Sequence, residues 1–228
     1  MSAALTLYVV GITVAAYILS REVGKRWRSP FTTPVFFSTV LIISLLIAGG
    51  LQAEDYVPAK DILTFLLGPA TVALAVPLYK NRQILIVNWV PALSGLVCGT
   101  VATIVTAVVL AKLFIFPQTI ATSIVIKSVT APIAIQLADI VAGNPTLVAA
   151  FVILTGMIGA MFGPGLMSLA RVDDPLARGL ALGTISHGQG AAQALLENEL
   201  AGGAAGIAIA LAAVATSLLA PTLVRVMF

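Results

Sequence analysis

From Thr146 to Leu169 the chain carries no charged residue, and comparable apolar runs cover Ala4 to Leu19, Val35 to Leu51, Val90 to Leu113 and Gly206 to Val224. Runs of this length exceed the roughly 10–14 residues of a buried core helix and approach the ~20 that cross the hydrocarbon of a bilayer. Lipid offers no partner to a peptide group, so each run must satisfy its own backbone, and a helix does that within one segment. The fold class that follows is an all-α integral membrane protein with about six to eight membrane segments. Composition agrees: of 228 residues, 60% are hydrophobic and 9% charged, and the mean hydropathy of +1.09 lies far outside the range of soluble domains. One domain spanning 1–228 is expected. Residues 1–20 lack a basic leader and an A-x-A cleavage signal, and read as a retained first span.

The net charge of +3 comes from Lys and Arg in the connecting segments. Arg21, Lys25, Arg26 and Arg28 surround Trp27, which predicts a cytoplasmic loop, and the acidic Glu54-Asp55-Tyr56 is expected to face outward. No Lys/Arg stripe with interleaved aromatics is present, so the expected partner is the lipid bilayer and not nucleic acid. Cys98, without a second cysteine, reads as a small core residue.

Three polar interruptions fall inside apolar segments. In Ile62–Tyr79 lies Gly68-Pro69-Ala70-Thr71; proline fits the first turn of a helix, so a helix start is expected there. In Ile120–Val141 lies Lys127-Ser128-Val129-Thr130-Ala131-Pro132; the residue before proline leaves the helical region, which predicts a second start at Pro132 capped by Thr130 or Ala131. The third is Thr184 to Gln189 within Leu180–Ala194, and it holds the single histidine of the chain. On one straight helix Ser186, Gln189 and Gln193 would share a face with His187 beside them. Gly183, Gly188 and Gly190 each weaken that helix by roughly 1 kcal/mol, so a break near Ser186–Gly190 is expected. The bland alternative is a Gly/Ala-rich helix packed tightly on a neighbour. Gly202-Gly203 reads as the turn before the last span.

A half-helix that starts inside the bilayer aims free amide hydrogens and a positive dipole end at the midplane, which favours a carboxylate or phosphate. Lys127 adds a full charge, at a cost of roughly 3 kcal/mol unless it finds water or a partner or snorkels to an interface. His187 is either a proton-coupling group, since imidazole titrates near pH ~6.5, or a packing histidine. Thr71, Ser128 and Ser186 ligate substrate oxygens or bond back to their own helix turn. The candidate substrate-binding set is therefore Gly68, Pro69, Thr71, Lys127, Ser128, Thr130, Pro132, Ser186, His187, Gln189 and Gly190. No catalytic or metal-ligating group is assembled in sequence, since H-E-x-x-H and G-x-S-x-G are absent; neither enzyme activity nor a cofactor is expected.

A constant spacing of 115 residues separates Pro30 from Pro145, Gly68 from Gly183 and Thr71 from Ser186. Together with reversed loop charges it suggests an inverted repeat, with pseudo-repeats over 1–114 and 115–228. Opposite orientation of the halves requires an odd number of crossings in each, and hence re-entrant segments, with Ile62–Tyr79 and Leu180–Ala194, or Ala4–Leu19 and Ile120–Val141, as the candidate pairs.

The stretches F-L-L-G-P-A-T-V-A-L-A-V-P-L-Y-K (65–80), K-S-V-T-A-P-I-A (127–134), F-V-I-L-T-G (151–156) and D-P-L-A-R-G-L-A-L-G-T-I-S-H-G-Q-G-A-A-Q-A (174–194) resemble the LrgB/CidB family of bacterial membrane proteins. Around His187 the family often has A-S-H-A-I-G-T-A; Ser186, His187 and Gly190 fit, and Gln189 departs. The resemblance implies one of two activities in the bacterial cytoplasmic membrane. One is a holin/antiholin-like regulator of murein hydrolase activity and cell lysis beside a small LrgA/CidA-like membrane protein. The other is a transporter of small carboxylates, as in the related plastidial glycolate/glycerate translocator, which fuses an LrgA-like half to an LrgB-like half. A homo-oligomer is a further expectation. Residue physics favours the carrier, with the substrate carboxylate at the helix starts near Lys127 and its hydroxyl read by Ser186 and Gln189.

Overall fold

The computed structural model describes residues 3–27, 29–73, 75–80 and 82–227; of these, the side chains of Ala3, Ala4, Leu67, Ala70, Thr71, Ala75, Pro77, Leu78 and Leu85 lie outside the description. All regular structure among the described residues is helical. Among the described residues, four helices are long and apolar enough to cross a membrane: Leu5–Arg26, Trp89–Leu113, Pro145–Leu169 and Glu199–Met227. The chain forms two compact units, Met1–Ala73 and Leu74–Phe228.

In the first unit, helix α1 (Ala3–Arg26) runs on through most of the basic cluster, and α2 (Pro34–Ala48) and α3 (Ala53–Ala73) follow. The Thr13 hydroxyl lies 3.1 Å from the Tyr56 hydroxyl and ties α1 to α3. Gly24 lets the turn after α1 close in, since a Cβ there would lie 2.8 Å from the Thr32 carbonyl. The expected helix start at Gly68-Pro69 is overturned: α3 runs unbroken through Pro58 and Pro69. The helix is already nucleated upstream, where Asp55 accepts the Gln52 N–H at 2.9 Å. A proline arriving inside an established helix has the right φ and costs a hydrogen bond and some bending, which membrane helices accommodate. Gly68, Pro69 and Thr71 are thus interior positions of a helix, and the Thr71 side chain lies outside the described residues.

The second unit holds the short helices α4 (Ala75–Lys80) and α5 (Arg82–Val87), then α6 (Trp89–Leu113), α7 (Gln118–Val125), α8 (Ala131–Ile140), α9 (Pro145–Leu169), α10 (Pro175–Glu197) and α11 (Glu199–Met227). Two of its segments double back. Arg178 and Glu197, both in α10, form an ion pair at 2.8 Å; on a straight helix the 19 residues between them would span roughly 28 Å. The reversal occurs at His187, whose φ of 40° and ψ of −129° are non-helical. Residues 175–186 and 188–197 are therefore antiparallel arms, and Gly190 lies against the Leu182 carbonyl because it lacks a Cβ. The expected break is present, and the fold-back removes the straight face that would have joined Gln193 to Ser186.

The second reversal lies between α7 and α8. The Thr122 hydroxyl donates to the Ala142 carbonyl at 3.0 Å, and the Asn144 N–H donates to the Ser123 hydroxyl at 2.9 Å. A continuous helix would hold Thr122 and Ala142 about 30 Å apart. The helix start expected at Pro132 is found: α8 begins at Ala131 with Thr130 as its N-cap, although the Thr130 side chain makes no capping bond. Arms of this length cannot cross ~30 Å of hydrocarbon, so both hairpins are re-entrant. The segments Ile120–Val141 and Leu180–Ala194 reverse, one from each candidate pair, while α1 and α3 do not.

Helix α11 is packed by small residues. A Cβ at Gly179 or Gly183 would run into the carbonyls of Ala201 and Ala205, and the constant offset of the two contacts means the first arm of α10 runs parallel to α11. Gly202 and Gly203 lie buried inside α11 and not in a turn; a Cβ at Gly202 would sit 2.6 Å from Leu195 Cδ1. The reversal comes instead at Asn198, whose side chain accepts the Leu200 N–H at 2.8 Å. Around the α7–α8 hairpin, Ile126 and Val129 pack with Ile104 of α6, Val148 and Val152 of α9 and Val224 of α11. Cys98 is exposed on α6, contrary to the expectation of a core position; in lipid the outer face of a helix is as apolar as its core, so the sequence does not distinguish them.

Candidate functional site at two hairpin tips

Each hairpin tip is held by a long helix at about mid-length. Lys127, in the turn between α7 and α8, donates from Nζ to the Thr103 carbonyl of α6 at 3.4 Å. The α10 tip meets the same helix one turn away, where a Cβ at Gly99 would lie 3.6 Å from Thr184 Cγ2. Four residues of helix rise put those two levels roughly 6 Å apart along α6. On its other side the α10 tip rests on α9. His187 Nε2 lies 3.1 Å from the Val152 carbonyl, and since a carbonyl can only accept, Nε2 carries the hydrogen and Nδ1 is the nitrogen able to take a proton.

Two glycines of α9 make room for this tip. A Cβ at Gly156 would lie 2.6 Å from both Gln189 Oε1 and His187 Cε1, and one at Gly159 would overlap the Ser186 hydroxyl. The three polar residues of the tip thus fit a notch cut by glycines three apart on one helix face.

The hairpins enter from opposite ends of the unit. α7 follows directly from the C-terminus of α6, whereas the base of α10 is fastened beside the C-terminus of α9. There Arg178 donates to the carbonyls of Val172 at 3.0 Å and Pro164 at 3.2 Å, to the Ser168 hydroxyl at 3.2 Å, and to both Glu197 oxygens. Guanidinium geometry suits this fork of acceptors. The Asp174 side chain caps the first arm by accepting the N–H groups of Leu176 and Ala177.

Among the described residues, the buried side-chain polar atoms without a hydrogen-bond partner are Thr100 Oγ1, Ser128 Oγ, Thr184 Oγ1, Ser186 Oγ and Gln189 Oε1. Every one belongs to a hairpin tip or to the turn of α6 between them. Buried polar groups are ordinarily satisfied, and each unsatisfied one costs about 1–3 kcal/mol. Scattered packing defects would not select these positions. Unpartnered donors and acceptors are thus concentrated on adjacent turns of α6, beside the ammonium group of Lys127.

The structure brings Ser186, His187, Gln189 and Gly190 together at the α10 tip and sets Lys127, Ser128 and Thr130 at the α7–α8 tip, with Pro132 exposed in the first turn of α8. Gly68, Pro69 and Thr71 belong to the other unit. Sequence reasoning missed Thr100, the Val152 carbonyl and the role of Gly156 and Gly159. The G-x-x-G spacing of the last two was the available signal. No group of three or more His, Cys, Asp or Glu able to hold a metal occurs among the described residues.

Comparison with known proteins places these features in a family. Residues 13–226 match the LrgB-like family. The chain is 35% identical over 222 residues to YxaC of Bacillus subtilis, covering 97% of this chain and 96% of the relative. It is 27% identical over 222 residues to the holin-like protein CidB of Staphylococcus aureus, covering 97% of each. No solved structure matches the chain. A helical membrane protein whose tip residues carry the I-S-H-G-Q-G stretch, and which matches from residue 13 to residue 226, this chain belongs to the LrgB-like family.

Proposed function

We propose that the chain is a secondary transporter of small monocarboxylates or 2-hydroxy acids, of the glycolate, glycerate, lactate and pyruvate class, working by alternating access in the bacterial cytoplasmic membrane. The observation that carries this reading is the meeting of two oppositely entering re-entrant hairpins on adjacent turns of α6, with every unpartnered buried polar side-chain atom of the described residues gathered there. Broken helices at mid-membrane depth place amide dipoles and side chains around a substrate that either side can reach in turn. Lys127 supplies the counter-charge for the carboxylate. Ser128, Ser186 and Gln189 supply hydrogen bonds for its oxygens and for a hydroxyl at the adjacent carbon.

Purified protein in proteoliposomes is expected to take up at least one of labelled glycolate, glycerate, lactate or pyruvate saturably, and Lys127→Ala to reduce uptake by about tenfold or more, the scale of losing one charge-assisted bond. Absence of uptake for all four, with leakage of an entrapped dye, would overturn the carrier.

A second reading rests on the likeness to the holin-like protein CidB. On that reading the chain regulates murein hydrolase activity and lysis with a small LrgA-like membrane partner. It predicts that co-purification of that partner survives Lys127→Ala and Ser186→Ala, with no transport defect to measure.

A further inference from the structure

With Nε2–H of His187 spent on the Val152 carbonyl, the chemistry left to the ring lies at Nδ1, one bond from Cε1. One turn further along α9, a Cβ at Gly156 would lie 2.6 Å from both His187 Cε1 and Gln189 Oε1. Those two atoms are therefore no more than twice that distance apart, and the missing side chain at Gly156 is what lets both stand there. Gln189 Oε1 is buried and has no hydrogen-bond partner. A neutral Nδ1 and an amide oxygen are both acceptors and can form no bond with each other, whereas a protonated imidazole donates from both nitrogens. What this pair lacks is a proton.

The charges around the tip leave that proton no other acceptor at its level among the described residues. Helix α9 carries no titratable group. Helix α6 carries the exposed Cys98 and, in its last turn, Lys112. Helix α11 carries Glu199 in its first turn and Arg225 in its last. Within α10, Arg178 and Glu197 pair with each other at the base, and Lys127 at the neighbouring tip is a cation. No carboxylate stands beside the ring, so a buried imidazolium needs a neutral acceptor to be satisfied.

We infer that Gln189 is the positioning residue for a proton carried by His187: its Oε1 accepts the hydrogen from protonated Nδ1. That contact turns the amide NH2 group away from the ring and toward the oxygens of the bound acid, so proton and carboxylate load together. The inference rests on the carrier reading above for what the proton accompanies, but the contact between the two side chains can be tested without transport.

The chain has one histidine, so the full chain made with nitrogen-labelled histidine and placed in lipid nanodiscs gives an NMR titration of His187 alone. Gln189→Leu, which keeps most of the side-chain volume, is expected to lower the titration midpoint by about one to two pH units, the scale of one hydrogen bond to a charged group. Gln189→Glu should raise it. Gly156→Ala keeps both side chains but sets a methyl group against both atoms, and should lower the midpoint; Gln193→Leu, one turn further along the second arm, should leave it where it is. A midpoint unmoved by Gln189→Leu would overturn the proposal. So would a rise, because an amide turned end for end would donate to neutral Nδ1, and its loss would favour the proton. In proteoliposomes the pH profile of lactate uptake should move with the titration. A shifted titration with no uptake of any acid would remove the carrier and keep the pair, whereas uptake whose pH profile ignores Gln189→Leu, with the titration also unmoved, would keep the carrier and remove the pair.

Discussion

His187 occupies a backbone conformation, φ 40° and ψ −129°, that suits the first central position of a II′ turn and ordinarily calls for glycine. Holding a non-glycine residue there costs on the order of 1–3 kcal/mol. Glycine is available next door at Gly188, so the imidazole is kept at the turn itself in spite of that cost. Its Nε2–H is committed to the Val152 carbonyl, which fixes the ring and leaves the other nitrogen for protons. Uptake by His187→Ala is therefore expected to lose its pH dependence between about pH 5 and 8 while substrate binding persists; unchanged pH dependence, read as initial uptake rate against external pH, would move proton coupling elsewhere. The break around this residue was legible in sequence, from the three glycines that crowd a lone histidine inside an apolar run. Its turn geometry was not, because the same glycines are equally compatible with a straight, tightly packed helix.

At the level of elements, sequence reasoning succeeds where a proline opens a segment and fails where one interrupts it. Pro132 does start α8, and Pro145 and Pro175 start α9 and α10. Pro69 starts nothing, because α3 is already under way. The doubling-back of α10 was hidden for a different reason: it is specified by the Arg178–Glu197 clasp and by the fit of Gly190 against the Leu182 carbonyl, and its first arm is seated on α11 by glycine contacts 22 residues apart, none of which local periodicity registers. Those contacts make a sharp contrast between glycines. Gly183→Ala would press a methyl group into the backbone of Ala205, which has no rotamer to yield, and is expected to destabilise by about 1–3 kcal/mol. Gly165→Ala meets nothing within 4 Å and should be neutral or stabilising by up to about 1 kcal/mol. Thermal unfolding of the two variants in detergent checks this; equal midpoints would mean that the α10–α11 seam is looser than its geometry implies.

For the second unit as a whole, the two fold-backs decide what can move. A tip resting on α9 through a glycine notch and on α6 through Gly99 can slide without breaking a hydrogen-bond ladder, since its main polar tether among the described residues is His187 to Val152. The base is anchored far more firmly, by the Arg178 fork. Motion is thus expected at the tips and not at the bases. The two reversals also fix sidedness by simple parity. Only α6, α9 and α11 traverse from Trp89 onward, because the α7–α8 pair and α10 each hand the chain back to the surface it came from. Reporter proteins inserted near Asp173 and at Asn198 must consequently report the same compartment, and fusions at Gly143 and behind the C-terminus must report the other.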